Sequence, residues 1–197
     1  MKRIIVCILS AVMAMGVFAQ EEGKIRGGLD LGACIPKGGS GVCVDLNLGY
    51  NLKDNMTVGI RWGLAAMAKV DPFGETGSAA ANINFLGTYS YYFSSGTSPF
   101  APFVGGGLGL YTLAAIASNA NTVSVDAGNR LGGMLTAGFE LSKLRIALEY
   151  NLVPSSAVKY TGTGEGIALT NDKIKNSYLT ITIGFYVGGG KWKKQSK

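Results

Sequence analysis

The sequence predicts an all-β protein: an eight-stranded antiparallel up-and-down transmembrane β-barrel. Three observations carry that expectation. Eight segments alternate large apolar residues with polar or small ones at a period of two, as strands with one apolar face do. The charged residues within those segments all share the face opposite the large apolar side chains. Most of the segments also reach the roughly 9–11 residues that a tilted strand needs to cross a bilayer.

The chain begins with Lys2 and Arg3, an apolar run through Phe18, and small residues around Val17-Phe18-Ala19. A basic start, a short apolar core and a small-residue exit are the features of a secretory leader. A spanning helix would need ~20 apolar residues, more than this run supplies. Residues 1–19 are therefore expected to be a signal peptide, 20–187 a barrel domain and 188–197 a basic tail. Cys7 lies too early for a lipid-modified cysteine, so no lipid anchor is expected.

The first alternating segment, 24–35, sets Ile25, Leu29, Leu31 and Ile35 against Arg26, Asp30 and Cys34. Pro36 to Gly41 reads as a glycine- and serine-rich turn or short loop. In 42–52, Val44, Leu46, Leu48 and Tyr50 oppose Cys43, Asp45 and Asn47, and Lys53-Asp54-Asn55 turns the chain. Residues 56–68 set Val58, Ile60, Trp62 and Leu64 against Thr57, Gly59 and Arg61. The fourth segment, about 80–93, turns Ile83, Phe85, Tyr89, Tyr91 and Phe93 one way and Asn82, Asn84, Thr88, Ser90 and Tyr92 the other. The fifth, Phe100 to Leu113, is glycine-rich, with Val104, Leu108 and Leu110 facing Gly105, Gly107, Gly109 and Tyr111. The sixth, about 130–142, carries Glu140 on its polar face. The seventh, 144–153, carries Arg145 and Glu149, and the eighth, Ser177 to Val187, closes the set. Connections Lys69–Ser78, Ala114–Asn129 and Pro154–Asn176 are long, and those after the second, fourth and sixth strands are short. Short turns at one rim and long loops at the other describe a membrane barrel.

Aromatic residues near strand ends (Tyr50, Trp62, Tyr89, Tyr91, Phe93, Phe100, Phe103 and Tyr150) are expected to form interfacial girdles. An eight-stranded barrel is filled by its own side chains. Arg26, Arg61 and Arg145, with Asp30, Asp45, Glu140 and Glu149, are accordingly expected to plug the lumen as a salt-bridge network, since buried charges persist only when paired. Arg145, next to the Ser142-Lys143 turn, is the natural partner for Glu140 or Glu149. Cys34 and Cys43 share the inward face of the first hairpin, with a parity that allows direct cross-strand pairing. A disulfide is expected there in an oxidising compartment.

The stretches 101–111 (APFVGGGLGLY), 144–150 (LRIALEY) and 179–187 (LTITIGFYV) resemble the fifth, seventh and closing strands of the small OmpA/OmpX-type outer-membrane barrels, which are porin-like in fold. The resemblance covers nearly all the chain after residue 19. It implies an integral protein of the cell outer membrane, surrounded by outer-membrane lipid. It departs at the end, where Gly188 to Lys197 extends beyond the strand that such barrels usually finish on an aromatic residue.

The functional expectations are coarser. The sequence has a net charge of +6 with no His, and 15% of its residues are charged. Lys191, Lys193, Lys194 and Lys197 account for much of the positive excess, and an exported protein meets no cellular nucleic acid, so no nucleic-acid partner is expected. Without His the Ser–His arrangements of barrel hydrolases are removed, so no enzyme and no catalytic residue is expected. No metal site and no cofactor are expected either. What remains is a structural or surface-interaction role, adhesion-like, through loops that meet a host surface, polysaccharide or envelope protein. A narrow channel for small solutes, or a soluble secreted barrel binding an apolar ligand, are the alternatives.

Overall fold

The computed structural model describes residues 20–70, 77–93, 100–117, 128–157, 173–174 and 176–189. The leader, the basic tail and the interiors of the three long loops lie outside the described residues. Eight strands form a closed antiparallel barrel: β1 (Ile25–Pro36), β2 (Gly39–Lys53), β3 (Met56–Val70), β4 (Gly77–Tyr92), β5 (Phe100–Ala117), β6 (Gly128–Leu141), β7 (Leu144–Leu152) and, closing it, β10 (Tyr178–Gly188). Two short strands, β8 (Ser156–Ala157) and β9 (Lys173–Ile174), pair with each other within the connection from β7 to β10. Each barrel strand pairs with its neighbours in order, and β1 pairs with β10.

Alternation builds this shape directly. Leu29, Leu31, Val44, Leu46, Ile60, Leu64, Ile83, Phe85, Leu110, Leu135, Leu148, Ile181 and Ile183 all lie exposed on the outer surface, around the whole circumference. Arg26, Asp30, Asp45, Arg61, Glu140, Arg145 and Glu149 are all buried inside. A soluble barrel with its charges in water and its apolar face around a ligand has the reverse arrangement, so that alternative is overturned. Apolar outside, charged inside and closed without an edge is the form a β-sheet takes in lipid, where no water satisfies a free strand edge.

The register fixes the dimensions. Cross-strand partners beginning at Leu144 run through Phe185, Leu29, Leu46, Trp62, Phe85 and Leu110 to Leu131. Continued by the β6–β7 register, that row returns to β7 about ten residues beyond its start. At ~3.3 Å per residue and ~4.8 Å between strands, this stagger tilts the strands by about 40° and sets a backbone radius of about 8 Å. Side chains fill such an interior.

Glycine is required where lumen side chains press on the wall. The Tyr186 ring lies over Gly28, its direct register partner, and a Cβ there would overlap the ring. Gly63 gives up its side chain to the carboxylate of Asp45 and the amide of Asn84, which converge on its inward face.

Three expectations are corrected. The region Pro36–Gly41 is almost all strand: only Lys37 and Gly38 turn, with Gly38 at φ 77°. Gly39–Gly41 are held as strand by pairing with Lys69, Ala68 and Met67 of β3. The loops after β3 and β5 likewise begin later than the composition suggests, because β4 holds Lys69–Val70 and Ala114–Ala117 in register. The aromatic girdle is narrower than expected. Tyr50, Tyr89, Tyr91, Phe93 and Phe100 gather toward the end bearing the turns, with Tyr91 edge-on to Phe93 at 5.2 Å and Phe100 against Phe139 at 5.3 Å. Tyr150 faces outward near the other end of β7. Trp62 stands mid-strand between Leu46 and Phe85, away from either rim. Phe103 does not face lipid at all: it is 1% exposed, because it precedes the outward Val104 and so takes the inward parity.

Candidate functional site in the barrel lumen

The lumen is organised in three layers. Nearest the turn end, Arg26 of β1 reaches across to Glu140 of β6, with Nη2 donating to Oε1 at 2.8 Å. Tyr92 of β4 joins them, its hydroxyl donating to the same oxygen at 2.9 Å. Beside this cluster Arg145 donates to the Tyr186 hydroxyl at 3.0 Å, and that hydroxyl donates to Asp30 Oδ2 at 2.9 Å. Asn47 donates to the same Asp30 oxygen at 2.8 Å.

Glu140 and Arg145 are direct register partners across the β6–β7 turn. The expected pairing between them, or between Arg145 and Glu149, is nevertheless not the one formed. Closure brings Arg26 in from β1 to take the Glu140 carboxylate. Arg145 instead stacks over Phe103, 4.1 Å from guanidinium carbon to ring centroid, and within 5.2 Å of the Tyr186 ring. The buried aromatic that the girdle assignment misplaced is thus the cation–π seat of Arg145.

The middle layer is a fork. Arg61 of β3, 4% exposed, donates from Nη1 and Nη2 to the two carboxylate oxygens of Glu149 of β7 at 2.9 and 2.7 Å. Nη2 also donates to Asp45 of the adjacent strand β2. Met134 Sδ lies 2.7 Å from Nη1. A planar guanidinium suits this work because it meets a carboxylate with two parallel N–H groups. The bridge from Arg61 to Glu149 crosses the bore from one wall to the other.

Toward the loop end the lumen turns largely apolar, with Arg130 of β6 as the register partner of the buried Tyr111. Cys34, Cys43, Ala65, Met67, Leu86, Tyr111, Met134, Val153 and Tyr178 form one buried cluster. Tyr111 donates to Asn151 Oδ1 at 2.9 Å, and Asn151 contacts Thr180 Oγ1 at 3.3 Å. Leu86, Met67 and Met134 are lumen residues that a search for charge overlooks. Parity alone reveals them, since Leu86 falls in the series with Asn84 and Thr88.

Cys34 and Cys43 are both buried thiols. Direct opposition is corrected by the register: Cys34 faces Gly41 and Cys43 faces Gly32, so the two thiols are diagonal neighbours. Diagonal positions lie roughly 7–8 Å apart between backbones, at the limit of what a disulfide bridges without moving the strands. Protein unfolded in alkylating reagent is therefore expected to take up two labels after residue 19. A mass two hydrogens lighter with no label would show the bridge.

A cavity of about 30 Å³ lies among Arg26, Asn47, Thr57, Thr88, Ser90, Arg145 and Tyr186, room for about one water molecule. Among the described residues no three His, Cys, Asp or Glu side chains gather into a group that could hold a metal.

No protein-family model matches the sequence, and no curated protein matches it. Solved structures do. Neisserial surface protein A (NspA) superposes with a TM-score of 0.52 at 16% identity, over 84% of this chain and 97% of that one. Here is the fold of the eight-stranded outer-membrane barrels. The outer membrane protein OprG from Pseudomonas aeruginosa superposes equally, with a TM-score of 0.52 at 14% identity, over 87% of this chain and 99% of that one. At such identities the likeness is one of fold. Inside that fold, the lumen of this chain holds Arg26, Arg61 and Arg145 with Asp30, Asp45, Glu140 and Glu149, and two buried cysteines with Met67 and Met134 toward the loop end.

Proposed function

We propose that this chain is an integral outer-membrane protein with a closed lumen, acting at the cell surface through the loops that follow β3, β5 and β7. The observation that carries this reading is the Arg61 fork. Its bonds to Asp45 and Glu149 span the bore, and the Arg26–Glu140 pair occupies the layer nearer the turn end. A solute would have to break buried charge pairs to pass. The working surface is then the loop end, where a rigid scaffold presents polar segments as binding loops usually are presented. The partner class this supports is an extracellular one: a host surface, a polysaccharide or another envelope protein.

Two measurements test the proposal together. Purified protein in planar bilayers is expected to show no step-like conductance. Cells displaying the chain are expected to adhere to polysaccharide- or matrix-coated surfaces, and to lose that adhesion when residues 158–172 are shortened to a tight turn. Steady single-channel steps in the intact barrel would favour the narrow channel. Unchanged adhesion across shortened versions of all three loops would remove the surface role.

A further inference from the structure

We propose that the mature chain begins at Gln20 and that this residue sits in the turn-end mouth of the barrel as its five-membered lactam, pyroglutamate. The proposal rests on cleavage after Ala19, which the basic start, apolar run and small-residue exit of residues 1–19 support.

Residues 20–24 precede the first barrel strand, yet they fold back across the mouth. Gly23 N donates to Asn51 O at 2.8 Å, Glu22 N to Asp54 Oδ1 at 2.9 Å, and Asn51 Nδ2 to Glu21 O at 3.1 Å. The path ends with Gln20 only 4% exposed. Its Oε1 lies 3.3 Å from Thr57 Oγ1, but that hydroxyl has one proton and Asn51 Oδ1 is nearer, at 2.9 Å. Gln20 Nε2 is buried with no hydrogen-bond partner. A buried amide nitrogen without a partner is costly, and an α-ammonium brought into the same place adds a charge to desolvate.

Cyclisation removes both. The α-amine nitrogen attacks the side-chain Cδ, an N–Cδ bond forms, and the Cδ–Nε2 bond breaks. Nε2 leaves as ammonia, taking up a proton from the attacking amine. No oxidant, reductant or second substrate enters. The product keeps the carbonyl oxygen beside Thr57, loses the unpartnered nitrogen, and replaces a charged terminus with one neutral N–H. The group lost in the reaction is the one the fold leaves unsatisfied.

The test is mass spectrometry on full-length chain expressed with its own leader and purified from outer membranes, followed by pyroglutamyl aminopeptidase treatment of folded and urea-unfolded samples. The expected N-terminal peptide starts at residue 20 and is about 17 Da lighter than the open glutamine form, the mass of ammonia. The enzyme is expected to remove the lactam from the unfolded chain and to leave the folded barrel untouched. A peptide starting at residue 20 with a free amine would overturn the lactam. A different first residue would overturn the processing step on which it rests. A lactam removed equally fast from the folded barrel would overturn its burial in the mouth.

Discussion

Arg61→Met is expected to destabilise the barrel by about 3–5 kcal/mol, the usual cost of stranding buried charges by removing their partner. The reason is geometric. Arg61 is the cation bonded to both Asp45 and Glu149, so its loss leaves two buried carboxylates across a narrow bore without the cation that both accept from. The urea midpoint of the heat-dependent gel shift, measured on protein refolded in detergent, reads the effect. Removing the stranded charges as well, with Asp45→Asn and Glu149→Gln in the same chain, is expected to recover most of the loss, because a buried pair contributes little beyond its own desolvation. An Arg61→Met barrel within about 1 kcal/mol of the parent would mean that the fork is hydrated, and the closed-lumen reading would fall with it.

The second large effect lies on the outer face. Leu46 and Leu52 are equally exposed on β2, at 47% and 45%, but they sit at different depths. Leu46 shares the mid-wall row with Trp62, whereas Leu52 sits at the bulge beside the Asp54-Asn55 turn. Leu46→Arg is expected to cost about 2–4 kcal/mol and Leu52→Arg about 0–1 kcal/mol, the depth dependence of arginine on a lipid-facing strand. A wall facing water would tolerate both equally. The pair of urea midpoints therefore tests the bilayer placement without reference to any relative.

Much of this architecture was legible because a strand writes its two faces into alternate positions. The inward set of seven charges, the outward leucines of β1, β2 and β7, and the count of eight strands all follow from that period. Parity says which face a residue takes, but not which residue waits across the bore. Glu140 stands opposite Arg145 in sequence space, yet its cation comes from Arg26, 114 positions away, because closure joins the first strand to the last. Phe103 shows a different failure. Its type and its place near a strand end suggested a lipid interface, while its position beside Val104 already said lumen; local parity was the better guide. The Lys37-Gly38 turn was hidden because three glycines and a serine in six residues read as loop, when pairing with β3 makes strand of most of them.

The seam between β1 and β10 has a consequence for the protein's history. Its eleven register pairs join segments about 150 residues apart, so the first strand made must wait for the last. Until Tyr178–Gly188 emerges, β1 keeps an unpaired edge, and the leucines that will later meet lipid are open to any other chain. A half-made wall has no stable resting form in either water or membrane. Closure of the barrel therefore comes only once the last strand is made, because the β1–β10 seam needs both ends of the described chain.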